Sequence, residues 1–194
     1  MEHFRRIKQS IDVRPFLQEL SALPGIWESG QGRRGRWSKR REARSIPLRG
    51  PVKYQMLGEG CPRGDFQESS YTAYAERFEA LCAFLESFAA ERGAELGRIK
   101  ILRLLPGQRV SPQTDQGEYH RCRNRYHLVL CGDANSGFRS SGEEAELQPG
   151  ELWWLDNKAS HEAHNRGTAE RIHVIFDLLP AHRMAEVYGR ASAA

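Results

Sequence analysis

The sequence predicts a mainly β protein, an antiparallel jelly roll with helices against one face. The spacing of apolar residues changes from helical to strand-like near residue 98. Short strand-like segments then follow at close intervals, separated by turn signals such as Ser136-Gly137 and Pro149-Gly150. Helical segments precede these strands, and that order favours helices packed on one face of a jelly roll.

The first half of the chain combines helices with a strand and a loop. The predicted segments are a helix over 11–22, a basic loop, a strand over 43–49, a loop over 55–68 and a helix over 70–92. Gly93 ends the second helix, and Ser69 or Ser70 caps its start. Its aromatic stripe is typical of core packing.

The second half of the chain consists of strands. They are predicted over 99–105, 126–130, 151–155, 159–164 and 171–178, and residues 181–194 form a C-terminal helix or tail. The sequence contains no internal repeat or linker, so its 194 residues are interpreted as one domain. Residues 1–95 are its helical and basic-loop part, and residues 96–180 are the jelly-roll core.

Composition excludes several classes of protein. Charged residues make up 28% and hydrophobic residues 39% of the chain, as in globular proteins. No apolar run approaches the roughly 18–20 residues that a membrane helix needs. The N-terminus lacks the apolar core of a secretion signal, so we expect a cytoplasmic protein. The four cysteines show no C-x-x-C spacing, so reduced thiols are expected rather than a zinc site.

Residues 33–44 form a strongly basic stretch in a chain whose net charge is only +4. Its cations are Arg33, Arg34, Arg36, Lys39, Arg40, Arg41 and Arg44. Three interpretations remain open: a solvated surface loop, a binding site for an anionic polymer, and a lid that attracts an acidic substrate. No RNA-binding or helix-turn-helix signature accompanies the stretch, so a nucleic-acid partner is not expected.

Three residue types on successive strands indicate a possible metal centre. They are a carboxylate at Asp115, a histidine at His161, and an arginine at Arg171, ten residues after that histidine. Imidazole and carboxylate ligands suit Fe(II) and leave coordination positions open for an oxo-acid and O2. An arginine then suits the far carboxylate of the oxo-acid, because its donors can bind a carboxylate in pairs.

From about Val110 to Pro180 the sequence resembles the aspartyl/asparaginyl β-hydroxylase family. These proteins are a branch of the Fe(II)- and 2-oxoglutarate-dependent oxygenases that includes bacterial proline hydroxylases. The motifs that carry the resemblance are Pro112-Gln113-Thr114-Asp115, Arg125-x-His127-Leu, Gly150-Glu151, His161-x-x-x-Asn165 and Arg171-x-x-x-x-x-Asp177, with a weaker match at Ser45-Ile-Pro-Leu-Arg49. The resemblance implies a double-stranded β-helix of the cupin-like type.

The resemblance also implies a role for each matching position. Asp115 and His161 would bind Fe(II), Arg171 would pair with the C5 carboxylate of 2-oxoglutarate, Arg125 and His127 would lie beside this co-substrate, and Arg49 and Asn165 would contact the substrate. The implied reaction is hydroxylation of an unactivated C–H bond. The implied substrate is an amino acid, a peptide or another small acidic molecule.

Gln113 departs from the family pattern, because it stands where the first histidine ligand is expected. An amide oxygen is a weaker ligand for a metal ion than an imidazole nitrogen. Three functions therefore remain open: an active hydroxylase; a metal-deficient pseudo-enzyme or dicarboxylate-binding module; and an anionic-polymer binder that acts through residues 33–44. Both a natural glutamine and an inactivating substitution are consistent with the sequence.

Overall fold

The computed structural model describes residues 2–29, 43–51 and 67–189. The strands are β1 (Phe4–Lys8), β2 (Arg44–Pro51), β3 (Ser69–Tyr71), β4 (Ala94–Leu104), β5 (Arg109–Gln113), β6 (Asn124–Cys131), β7 (Ser136–Ser140), β8 (Glu143–Glu146), β9 (Leu152–Leu155), β10 (His161–Asn165) and β11 (Arg171–Pro180). The helices are α1 (Arg14–Ser21), α2 (Ile26–Ser29), α3 (Glu79–Glu91), α4 (Glu118–Arg121) and α5 (Ala181–Tyr188).

The described strands form two antiparallel sheets. The larger sheet has seven strands in the order β1-β9-β6-β11-β4-β2-β3, and the smaller has four in the order β5-β10-β7-β8. β11 is central to the larger sheet, where it pairs with β4 on one side and β6 on the other. Apart from the pairs β2–β3 and β7–β8, neighbouring strands are not consecutive in sequence, which is typical of a jelly roll.

The larger sheet is buried on both faces. One face packs against helices, where Phe16 of α1 and Phe88 of α3 share an apolar cluster with Phe176 of β11. The other face turns toward the smaller sheet, and Val129 of β6 and Phe138 of β7 belong to a second cluster between the sheets. The predicted arrangement, helices against one face of a jelly roll, is therefore confirmed.

The predicted helix over 70–92 begins only at Glu79. Ser69–Tyr71 instead adds to the edge of the larger sheet by pairing with β2, so Ser69 and Ser70 are strand residues rather than caps. Ala75–Arg77 forms a separate 3-10 turn, and Phe78 follows it with the non-helical dihedrals φ −131° and ψ 52°. The prediction failed because an aromatic residue at helical spacing, Tyr71, belongs to the strand.

Besides β3, four further strands were missed: β1, β5, β7 and β8. The Ser136-Gly137 pair was predicted as a turn but lies in β7, directly opposite Asn165 and His164 of β10. Here glycine serves close packing, since a Cβ atom at Gly137 would stand 2.8 Å from the His164 ring. Gly150 is a true turn residue, with φ +81°.

Two predicted segments fall mainly outside the described residues. They are residues 33–42 of the basic stretch and residues 55–66 of the predicted loop. Arg44, the last cation of the basic stretch, is described and pairs with Glu28 of α2. None of the described helices has the length and apolar character needed to cross a membrane.

Candidate active site

A cavity of about 320 Å³ lies between the two sheets. The larger sheet contributes Arg125 and His127 from β6, and Arg171 from β11. The smaller sheet contributes Gln113 from β5 and His161 from β10. Ser45, Lys100 and Asn157 add further polar groups to the wall. The cavity has the size and mixed polarity of a site for a small ligand.

Arg171 enters the cavity because side chains alternate along β11. Its neighbour Ile172 and then Val174 belong to the helix-side cluster, whereas Arg171 and Ile175 line the cavity. Arg171 is 1% exposed, and Nε, Nη1 and Nη2 have no hydrogen-bond partner among the described residues. Burial lowers the pKa of Arg171 to about 9, so the guanidinium stays charged at neutral pH. A buried charge without a partner is costly, and an anionic ligand would compensate it.

Two neutral histidines lie near Arg171. Burial lowers the pKa of His127 and of His173 well below the usual value, and the charge of Arg171 acts in the same direction. Their rings meet edge to face with centroids 5.8 Å apart. Within the described part of the chain, Nδ1 of His127 and both ring nitrogens of His173 lack partners. The surroundings of Arg171 therefore combine one cation with three histidine nitrogens that have no partner among the described residues.

His161 and Gln113 face each other across the smaller sheet. They are direct partners in the register between β10 and β5, and both line the cavity. Nδ1 of His161 lies 3.0 Å from the carbonyl oxygen of Ala159. Because a carbonyl oxygen only accepts, Nδ1 carries the proton and Nε2 keeps the lone pair that a metal ion requires. The ring is further held by stacking on Phe138, with centroids 5.7 Å apart.

Asp115 is joined to the cavity through Arg125. Its backbone N–H donates to the carbonyl oxygen of Asn157 at 3.1 Å, which fixes the segment after β5. Its Oδ2 accepts from Nη1 of Arg125. Arg125 also donates from Nε and Nη2 to Oδ1 and Oδ2 of the buried Asp177, at 2.8 and 3.1 Å. Burial would lower the pKa of Arg125, but the charge of Asp177 and then of Asp115 outweighs it and raises that pKa.

The donor atoms near the cavity decide whether a divalent metal ion fits there. No group of three His, Cys, Asp or Glu side chains within the described ranges is arranged to hold a metal. The candidate donors are the Nε2 of His161 and the amide oxygen of Gln113, which line the cavity, and the carboxylate of Asp115, which contacts the lining residue Arg125. Nitrogen and oxygen donors of this kind fit Fe(II), with the amide as the weakest of the three.

Two predicted substrate-binding residues do not line the cavity. Arg49 donates from Nε to the carbonyl oxygen of Leu96 at 3.1 Å and stacks over the Tyr71 ring. Asn165 is 1% exposed and bonds three backbone groups: its Nδ2 donates to the carbonyl oxygens of Leu104 and Ala169, and its Oδ1 accepts from the N–H of Gly167. Asn165 therefore shapes the turn between β10 and β11, and its side-chain bonds are made within the protein.

Sequence reasoning missed Asn157 as a cavity residue. Its side chain is buried, and its Oδ1 accepts from the ammonium group of Lys158 at 3.1 Å. That contact fixes the amide orientation, because an ammonium group only donates. Nδ2 is then a buried donor with no partner among the described residues. The sequence did contain a signal for Asn157: it is a polar residue between the predicted strand over 151–155 and the expected histidine ligand, His161.

Solved structures with a similar fold include members of the 2-oxoglutarate oxygenases. An oxidoreductase of the 2OG-Fe(II) oxygenase family from Burkholderia pseudomallei gives a TM-score of 0.51 at 12% identity, over 71% of this chain and 67% of its own. A viral collagen prolyl hydroxylase from Paramecium bursaria Chlorella virus-1, solved in complex with 2OG, gives 0.55 at 10% identity, over 92% and 97%. These likenesses confirm the predicted double-stranded β-helix fold.

The class of protein follows from sequence as well as fold. The family model of the aspartyl/asparaginyl β-hydroxylases matches residues 64–180, more than half of the chain. The chain therefore belongs to the aspartyl/asparaginyl β-hydroxylase family, as its motifs predicted. Comparison with curated proteins gives no significant match.

Proposed function

We propose that this protein is an Fe(II)- and 2-oxoglutarate-dependent oxygenase that hydroxylates an unactivated C–H bond. The substrate would be an amino acid, a peptide or another small acidic molecule. The observation that carries the proposal is the buried guanidinium of Arg171, which faces the cavity without a partner among the described residues. Membership of a hydroxylase family supports the same conclusion.

Arg171 would bind the distal carboxylate of 2-oxoglutarate with paired N–H donors. His127, whose Nδ1 has no partner in the described ranges, would lie beside the same co-substrate. The pair is held by adjacent strands of one sheet, so the co-substrate would be oriented by a rigid support. Burial of the site would keep bulk water away from the reacting groups.

His161, Asp115 and Gln113 would hold the iron. Bound Fe(II) would supply the activation of O2 that a protein side chain cannot provide. The Ala159 carbonyl keeps His161 in the tautomer that presents Nε2, and the Asn157 carbonyl fixes the backbone at Asp115. An acidic substrate is supported by Lys100 and by Nδ2 of Asn157 on the cavity wall.

The test is an anaerobic titration of Fe(II) and 2-oxoglutarate into the protein. The visible charge-transfer band of the chelated complex reports binding. We expect a band in the unaltered protein and none in Asp115→Ala. Gln113→His should strengthen the band, because it replaces the weakest donor with imidazole. No band in any of these proteins, including Gln113→His, would contradict the proposal.

A metal-free dicarboxylate-binding protein is the second candidate function. Two observations favour it: the amide at Gln113, and the ion pair by which Arg125 already neutralises Asp115. Arg171 would then bind the dicarboxylate with no iron beside it. This function predicts 2-oxoglutarate binding that is unchanged by EDTA, together with no turnover after Gln113→His.

A further inference from the structure

Arg125 is surrounded by acceptors from the protein itself. Asp177 lies directly opposite it in the register between β11 and β6, and accepts two of its N–H groups in a bidentate pair. Nδ1 of His120 lies 3.4 Å from Nη2, and Oδ2 of Asp115 accepts from Nη1. Four of the five N–H donors that an arginine carries are therefore directed at protein atoms.

The network is built to hold one carboxylate in place. Side-chain exposure falls from 15% at Asp115 to 10% at Arg125 and 2% at Asp177. Asp177 is thus the buried anchor, Arg125 the link and Asp115 the outermost member. Arg125 bonds only Oδ2 of Asp115, and no described residue bonds Oδ1. Oδ1 is the oxygen that remains for a metal ion.

We propose that Arg125 is a positioning residue that clamps Asp115 as a metal ligand, with Asp177 as its anchor, rather than a ligand of 2-oxoglutarate. The inference rests on the proposed function in taking Asp115 as a ligand. It assigns different tasks to the two buried arginines of the cavity: Arg171 binds the co-substrate, and Arg125 orients the metal-binding carboxylate.

The chemistry of guanidinium explains why the clamp would require arginine. A planar fork can hold Asp177 with two N–H groups and still reach Asp115 with a third. An ammonium group at this position has the same charge but cannot bond two carboxylates in that fixed geometry. Outer partners that orient metal ligands typically contribute about 10–100-fold in metal affinity. Arg125→Lys is therefore the informative change, because it keeps the charge and removes the geometry.

The experiment compares Arg125→Lys with Arg171→Lys in the full chain, using two probes. Co(II) alone reports on the metal site through its d–d absorption and its Kd. 2-Oxoglutarate with EDTA reports on the anion site through calorimetry. We expect Arg125→Lys to weaken Co(II) by about 10–100-fold and to change its spectrum. We expect the same variant to bind 2-oxoglutarate within about twofold of the unaltered protein, whereas Arg171→Lys loses at least about tenfold.

Two outcomes would overturn the clamp alone. One is an unchanged Co(II) Kd and spectrum in Arg125→Lys. The other is a loss of 2-oxoglutarate binding in Arg125→Lys as large as that in Arg171→Lys, which would make Arg125 a ligand of the co-substrate. Failure of the unaltered protein to bind Co(II) is a different result, because it overturns the proposed iron site and the clamp together.

Asp177→Asn provides a second test that leaves both Arg125 and Asp115 in place. Asparagine has nearly the same volume but no charge, so the anchor is weakened rather than removed. We expect Co(II) affinity to fall in the same direction as in Arg125→Lys, by a smaller factor, with 2-oxoglutarate binding in EDTA retained. Unchanged Co(II) affinity in Asp177→Asn would overturn the role of Asp177 as anchor.

Discussion

The cavity contains two buried arginines on neighbouring strands whose surroundings are opposite. Arg125 is 8% exposed and bonds two carboxylates, Asp115 and Asp177. Arg171 is 1% exposed, and its guanidinium bonds no described residue. Accordingly, carboxylates raise the pKa of Arg125 despite its burial, and burial alone lowers the pKa of Arg171. The charge of Arg125 is thus stabilised by carboxylates, whereas the buried charge of Arg171 is not compensated by any described residue.

The contrast separates a structural ion pair from a binding group. A fold gains nothing from burying an unpaired guanidinium, so Arg171 is best explained by a ligand that completes it. Arg125 already has its partners and needs no ligand. The two side chains are alike in burial and charge. They differ in the hydrogen-bond acceptors around them, and that difference distinguishes their functions.

The largest expected effect is the loss of stability on replacing Arg125 with methionine. This change leaves Asp177 buried with an uncompensated charge, and breaking one side of a buried ion pair costs about 3–5 kcal/mol. Urea unfolding followed by circular dichroism measures the change. A loss below about 1 kcal/mol would show that the Arg125 network contributes little to folding, and that Arg125 does not differ from Arg171 in this respect.

Arg171→Met should have the opposite sign in the same measurement. Methionine fills a similar volume without burying a charge, so the free energy of unfolding should rise by about 1–2 kcal/mol. Binding of 2-oxoglutarate should weaken by at least about 100-fold, which corresponds to about 2.7 kcal/mol. Equal destabilisation by Arg171→Met and Arg125→Met would mean that Arg171 has partners of its own.

A pH titration should distinguish the two arginines without any substitution. An anion needs the charged form of Arg171, whose pKa is lowered to about 9, so affinity should be level below about pH 8. It should then fall about tenfold per pH unit above about 9. The sign for folding is opposite: the folded-state pKa lies below the unfolded value, so the cost of the buried charge is full below about pH 9 and decreases progressively as pH rises above it. Calorimetry of 2-oxoglutarate binding checks the pH dependence of affinity. Urea unfolding of the unaltered protein, with Arg171→Met as control, checks the pH dependence of stability. Arg125, whose pKa is raised, should not contribute.

Much of this site could be predicted because its residues lie on strands with period-2 alternation. Arg125 and His127, two residues apart, both line the cavity, and so does His161. Their partners could not be predicted. The sequence places Asp177 only as the last residue of a motif that begins at Arg171, and it is the register between β11 and β6 that places Asp177 opposite Arg125. Pairing across a sheet joins residues that are distant in sequence, and no local pattern encodes it.

The fold shows the same limit. The central strands are long and apolar, so their pattern stood out, whereas β7 and β8 were missed because they are short and rich in serine and glutamate. Asn165 illustrates a related limit. Its position after the expected histidine ligand suggested substrate contact, but its three bonds to backbone groups belong to a turn whose shape depends on strands β10 and β11 together.

The smallest expected effect concerns a third arginine, Arg49, which serves as a reference for the other two. Arg49 lies outside the cavity lining, where it stacks on the exposed Tyr71 ring and bonds one carbonyl oxygen. Arg49→Ala should therefore lower the free energy of unfolding by only about 0.5–1 kcal/mol, the usual contribution of an exposed cation–π pair. It should also leave 2-oxoglutarate binding unchanged in calorimetry. A substantial loss of binding in Arg49→Ala would extend the anion site to the edge of the larger sheet, since two positive centres would then contribute to it. The contrast between Arg171 and Arg125 would in that case reflect only part of how the protein recognises its ligand.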